Sequence, residues 1–178
     1  RYWFERALDA YDRVLGVRPT GFRAPLNEFS RNTLPLLVEA GIEYDSSLMG
    51  DDVPYLIGDG GNGSIVEIPQ FIAMDDWPHF MHNWDLDYQM PISAPGRAKE
   101  VFLAEFESAW ENGGLWMTVW HPFLTGRPSR IKMLIEMIEY MQNKGGVWFA
   151  TLAEITAHIR ACLADGSWQC RTDTVPFD

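Results

Sequence analysis

Cysteine is scarce in this sequence: two in 178 residues, Cys162 and Cys170. Two thiols are not a disulfide framework, and free cysteines in a cytoplasmic protein are the expectation. Positive charge is short as well. Fourteen Lys and Arg against 25 Asp and Glu leave a net charge of −11, which excludes nucleic acid and anionic membrane as partners, since both need basic patches. No apolar run approaches the roughly 18–20 residues of a membrane span. The opening RYWFERALDAYDRVLG lacks the form of a signal peptide, so the expected location is the cytoplasm. It also lacks an initiator methionine, and a chain that opens in mid-helix on Arg1 reads as a piece of something longer. GxGxxG, the P-loop, GxSxG and CxxC are all missing. Nucleotide binding and serine hydrolysis have nothing to stand on.

What is present suffices for a sizeable core: 47% hydrophobic residues and 8 Trp, in a length that fits one domain. Phe4, Ala7, Leu8, Tyr11, Val14 and Leu15 are spaced by threes and fours, which predicts a helix over 2–15 that stops at Gly16. GFRAP reads as a short strand, SRNTLPLLVEAG as a helix capped by Asn32 or Thr33, IEYDSSLMGDDVPYLI as a short strand and loop, GDGGNG at 58–63 as a turn, and SIVEIP as a strand. Ser93 and Pro95 open a helix that ends at Gly113. LWMTVW, a continuous apolar and β-branched run, reads as a buried strand ended by His121-Pro122, because proline cannot donate to a ladder. Ser129 caps a helix with Ile131, Leu134, Ile135, Ile138 and Met141 on its apolar face. VWFA is a further strand. Thr151 and Glu154 form a capping box for a last helix with Ile155, Ile159 and Cys162 inward, and 165–178 is an irregular tail. The alternation predicts an α/β fold with a mostly parallel sheet or barrel.

His121 stands where a strand ends, the rim at which α/β folds place ligands. Arg23, at another strand end before Ala24-Pro25, is suited to face an anion. Asp75-Asp76-Trp77 lies in 70–94, a stretch without a clean period, and such a segment inside a compact domain is usually functional. On its own this acidic pair reads as a solvated turn. His79 and His82 have HxxH spacing, but Pro78 intervenes and no third ligand is adjacent, so metal ligation is not expected there. His158 reads as an exposed helix residue.

Taken together, GFRAP, YDSSLMGDDVPY, DDW and WHPFLTGRPSR…VWFATLAEITAH resemble the polysaccharide deacetylase, or NodB-homology, family. They are most similar to the branch of peptidoglycan-deacetylase-like proteins, allantoinases and cyclic imidases. The resemblance implies part of a distorted (β/α) barrel that lacks the first strands, with 1–178 as the C-terminal portion of one catalytic domain. It implies hydrolysis of carbon–nitrogen bonds other than peptide bonds, namely deacetylation of N-acetylated amino sugars. Carried over, Arg23 orients the base, Asp76 holds His121, His121 protonates the leaving nitrogen, and Trp77 lines the groove. Asp75 is the competing register for Asp76, and Asp52 and Tyr55 lie on a substrate-side loop. The family's divalent metal, usually zinc, is held by an Asp and two His, and nothing in 1–21 resembles their motifs. The expectation is therefore no catalytic metal in this chain alone.

The implied chemistry is coherent. A general acid typically contributes ~10²–10⁴ in rate, and a neighbouring carboxylate favours the charged imidazolium. Two alternatives stay open: a small cyclic amide or imide as substrate in place of a glycan, and a catalytically incomplete domain for binding or assembly. The many aromatic residues outside clear core positions also allow a homo-oligomer.

Overall fold

The computed structural model describes residues 1–58 and 63–174. In chain order the elements are α1 (Tyr2–Leu15), β1 (Gly21–Phe22), α2 (Thr33–Glu39), β2 (Tyr44–Asp45), β3 (Tyr55–Gly58), β4 (Ser64–Glu67), α3 (Trp77–Phe80), α4 (Pro95–Asn112), α5 (Pro122–Thr125), α6 (Pro128–Lys144), α7 (Leu152–Asp165) and β5 (Thr172–Asp173). Single 3-10 turns lie at Pro25–Asn27 and Ile72–Met74. The residues group into two compact units. One is Arg1–Pro69 together with the chain from Ala150 onward; the other is Gln70–Phe149. No helix among the described residues is long and apolar enough to cross a membrane. Cys162 and Cys170 are both free.

The first unit is built on a five-stranded sheet in the order β1-β2-β4-β3-β5. Only β3 and β4 pair antiparallel; the other neighbours are parallel. The strands expected at GFRAP, IEYD and SIVEIP are β1, β2 and β4. Gly21 leaves the space that the ring of Tyr44 on the paired strand fills, since a Cβ there would lie 2.0 Å from that ring as it stands. Two features went unread in the sequence. Tyr55–Gly58 is a strand, and Thr172–Asp173, inside the segment read as an irregular tail, pairs with Leu56–Ile57. Of the turn expected at 58–63, residues 59–62 lie outside the described residues. The core beneath the sheet gathers Phe29, Leu34, Leu37, Ile42, Tyr55, Ile57 and Ile65. The capping box of α7 forms as expected, Glu154 N donating to Thr151 Oγ1 and Thr151 N to Glu154 Oε2. On α1 only Leu8 of the expected face is buried, with Phe4 half-buried against Phe22; Val14 and Leu15 are exposed.

The second unit is helical, α4 packing against α6 over a core of Met74, Phe80, Phe102, Phe106, Leu124, Met133, Met137 and Met141. The buried line on α6 is therefore methionine at i, i+4 and i+8. Ile131, Ile135 and Ile138 are exposed, because the apolar residues of this helix cover more of its circumference than one neighbour can bury. The helix starts at Pro128 with Arg127 at the cap position, not at Ser129. Neither 115–120 nor VWFA forms a strand ladder among the described residues. The first is half-buried and makes one parallel bridge, Val119 to Asp75. Its partner segment turns 3-10 before Asp75 and helical after Asp76, so the ladder has no room to extend.

Candidate active site

That single bridge sets the site. Val119 N donates to Met74 O and Asp76 N donates to Val119 O, which brings the side chain of Asp76 alongside residue 121. Asp76 is fully buried and every donor around it comes from the WHPFLT segment. His121 Nδ1 lies 2.6 Å from Asp76 Oδ1, and the backbone N–H of His121 donates to Oδ2 at 3.0 Å. The hydroxyl of Thr125 donates to Oδ2 at 2.5 Å. Pro122, at the first helical position, starts α5 at once, and the N–H groups of Leu124 and Thr125 close on His121 O.

An ionised carboxylate only accepts, so Nδ1 carries the proton in this pair. Nε2 then has no hydrogen-bond partner among the described residues, while 30% of the side chain is exposed. Trp77 and Phe123 stand edge-on to the imidazole, with centroids 5.3 and 5.7 Å away, and Tyr88 stands edge-on to Trp77. The arrangement packs the imidazole against one aromatic cluster, since Trp77 and Phe123 also stand edge-on to each other at 6.2 Å, and anchors Nδ1 on a buried acid while Nε2 is left unpaired. That is the form of a histidine that moves a proton.

Asp75 does not share this role. Its Oδ1 takes the N–H of Trp77 at 2.7 Å and lies 3.6 Å from His121 Nδ1, so of the two registers Asp76 is the one that holds the imidazole. Asp75, Asp76 and His121 offer ligand atoms within 4.8 Å of one another, the one such group among the described residues. They do not fit a metal as arranged. Both oxygens of Asp76 and one of Asp75 already accept hydrogen bonds, and the nitrogen nearest the carboxylates is the one that donates. A cation held by all three would have to displace the proton from His121 Nδ1 and compete with the donors already on these oxygens.

Arg23, Asp52 and Tyr55 belong to the first unit. Arg23 is half-buried and rigidly held: Nε donates to Ser46 O and Nη2 to Ser46 Oγ, both at 2.7 Å. The Oγ of Ser46 donates onward to Ile68 O. Asp52 is exposed on its loop, its N–H bonded to Asp51. Tyr55 departs from expectation. It is a core residue on β3, 3% exposed, with Arg171 over its ring, because the VPYLI run is a buried strand and not a loop. Burial pushes its phenol up to about 12. His79 and His82 bond to the carbonyls of Ala73 and Met90, each satisfied by backbone.

The residues missed in the sequence are Thr125, Phe123 and a buried acid pair. Thr125 and Phe123 were signalled, since a proline right after His121 starts a helical turn that carries 123 and 125 back past it. Asp45 and Glu67 have no such signal, because their meeting depends on β2 pairing with β4. Glu67 is fully buried, with Oε1 accepting from Leu48 N and Oε2 without any donor. Burial first, and the adjacent Asp45 second, push its carboxyl up to about 10. Burial raises Asp45 too, against the hydrogen bonds it accepts from Ser47.

No family model matches the chain. It is 27% identical over 176 residues to a peptidoglycan deacetylase of Helicobacter pylori, which covers 84% of this chain and 60% of that protein. A solved structure described as a "putative polysaccharide deacetylase" from Mycobacterium smegmatis is 38% identical and superposes with a TM-score of 0.85, over 97% of this chain and 59% of the other. A Puue allantoinase shares the fold at 24% identity and a TM-score of 0.77, over 89% of this chain and 51% of the other. The chain thus spans about three-fifths of the length of the first relatives it matches, and over that part its mixed α/β fold is theirs.

Proposed function

We propose that this chain, related in sequence and in fold to the polysaccharide deacetylases, supplies the proton-donating part of a hydrolase site. The reaction is hydrolysis of a carbon–nitrogen bond other than a peptide bond, with the N-acetyl group of an amino sugar as substrate. The observation that carries this reading is the buried Asp76 bonded to His121 Nδ1 at 2.6 Å, with Nε2 left unpaired on a part-exposed imidazole that packs beside Trp77 and Phe123.

The chemistry follows from what an amide resists. Its nitrogen leaves only when it gains a proton, and an imidazolium positioned at that nitrogen provides one. Asp76 fixes which ring nitrogen faces the substrate and offsets the charge of the imidazolium. Trp77 and Phe123 offer apolar faces to a sugar ring. Arg23, held by Ser46, is the orienting cation for a carboxylate base. Arg23→Ala in the active protein is expected to lower kcat with KM little changed. Unchanged kcat with a raised KM, from steady-state kinetics, moves Arg23 to substrate binding.

The deciding assay measures acetate released from an N-acetylated amino-sugar polymer beside ring opening of a small cyclic imide, using the protein in its native length. Acetate release supports the proposal. Ring opening without acetate keeps the site and changes the substrate. Neither activity, with glycan binding retained, leaves a binding domain.

A further inference from the structure

The Asp76–His121 pair leaves one question of geometry. The carboxylate torsion of aspartate is soft and roughly two-fold, so a single bond to Nδ1 does not by itself fix the plane of the group. Two further donors do so here, both on Oδ2: the N–H of His121, and the hydroxyl of Thr125. The first belongs to the residue being oriented and moves with it. Thr125 is the independent anchor. It is 3% exposed, and the turn that carries it is tightly determined. Thr125 N and Gly126 N bond back to His121 O and Pro122 O. Arg130 Nη1 donates to Leu124 O while its guanidinium lies over Phe80. Residue 126 has to be glycine, because a Cβ there would lie 2.3 Å from Pro122 O.

We infer that Thr125 is a positioning residue for His121: its hydroxyl locks the Asp76 carboxylate so that Oδ1 holds the Nδ1–H tautomer and Nε2 stays free to exchange a proton. The inference rests on the proposed role of His121 but acts through Asp76 alone, and a residue holding a buried carboxylate has only this bond to contribute. Removing the hydroxyl while keeping the shape takes away one of two anchors on Oδ2 and leaves part of a buried charge unsatisfied.

The test reads the tautomer of His121 directly in this chain, by imidazole nitrogen NMR at a pH where the ring is neutral. In the unaltered chain the Nδ1–H form is expected to dominate. Thr125→Val is expected to give a mixture with a large Nε2–H fraction, and Thr125→Ser to restore the original spectrum. Thr125→Ala gives the same readout should valine perturb folding. In the active protein, Thr125→Val is expected to lower kcat about tenfold with KM unchanged, and serine to recover it. An unaltered tautomer in both the valine and alanine variants overturns the inference, as does failure of serine to restore it. A tautomer that shifts as expected in a protein whose turnover survives His121→Ala separates the two claims: the positioning stands and the proposed function falls.

Discussion

Replacing His121 by alanine is expected to lower turnover by about 10²–10⁴, the usual contribution of a general acid, with any bound metal retained in full. The geometry argues for the loss of turnover. Nδ1 is committed to Asp76 at 2.6 Å and Nε2 is the only nitrogen left to meet substrate. Nδ1 is not available as a ligand, because it donates to a carboxylate that also accepts from His121 N and Thr125; Nε2 is open to a proton or to a cation, and the metal content of the variant decides between them. Asp76→Asn is expected to follow His121→Ala closely, because an amide in its place presents a donor where the imidazole needs an acceptor. The two losses should be far from additive, since the pair acts as a unit. Steady-state rates on the single and double variants, with metal content measured on the same samples, decide the matter. If metal leaves together with activity in His121→Ala, the residue is a ligand and the acid must be sought elsewhere.

The second large effect concerns stability. Asp45 and Glu67 lie on paired strands, both fully buried, with their carboxyl groups in hydrogen-bond reach. Two such groups cannot both ionise cheaply, so the pair keeps a proton, mainly on Glu67, which gives the otherwise unpartnered Oε2 its bond. Glu67 is pushed up to about 10 in the fold from an ordinary value of 4.5. A raised value means the folded state holds the proton more tightly. The stabilisation is therefore complete below about 4.5, declines as pH rises, and is exhausted near 10. Denaturant melts between pH 5 and 9 are expected to show stability falling with a slope of up to about 1.4 kcal/mol per pH unit, the limit for one proton. Glu67→Gln carries its hydrogens at every pH. It should flatten that slope and make the chain more stable than the unaltered one at pH 9. A flat profile in the unaltered chain would falsify the shared proton.

Some of this was readable from residues alone because the cause is local. Helix periodicity, the Thr151–Glu154 box, and the stops at Gly16 and Gly113 depend on neighbours a few positions away, and those expectations stand in the structure. His121, Asp76 and Trp77 were legible through the order of short motifs, and the structure brings all three together. Other readings failed for a single reason: burial is decided by what packs opposite. The isoleucines of α6 look as apolar as its methionines, yet it is the methionines that are buried in one cluster with Phe102 and Phe106 of α4. LWMTVW has every strand propensity, but a ladder needs a partner, and 72–80 turns and coils too soon to provide more than one bridge. Tyr55 sits among loop-forming residues and still ends in the core, because β4 pairs with its strand.

Residue chemistry and local spacing by themselves determined the long helices and set His121 just before a proline, while Asp76 and Trp77 stood out only through the resemblance of the short motifs, taken in order, to a known family. Tertiary structure alone decided which of two adjacent aspartates faces the imidazole, that Thr125 reaches the same carboxylate, and that two acids share one interior. Periodicity is written along the chain, whereas a hydrogen bond across 45 residues or a proton shared across a sheet exists only once the backbone has closed on itself.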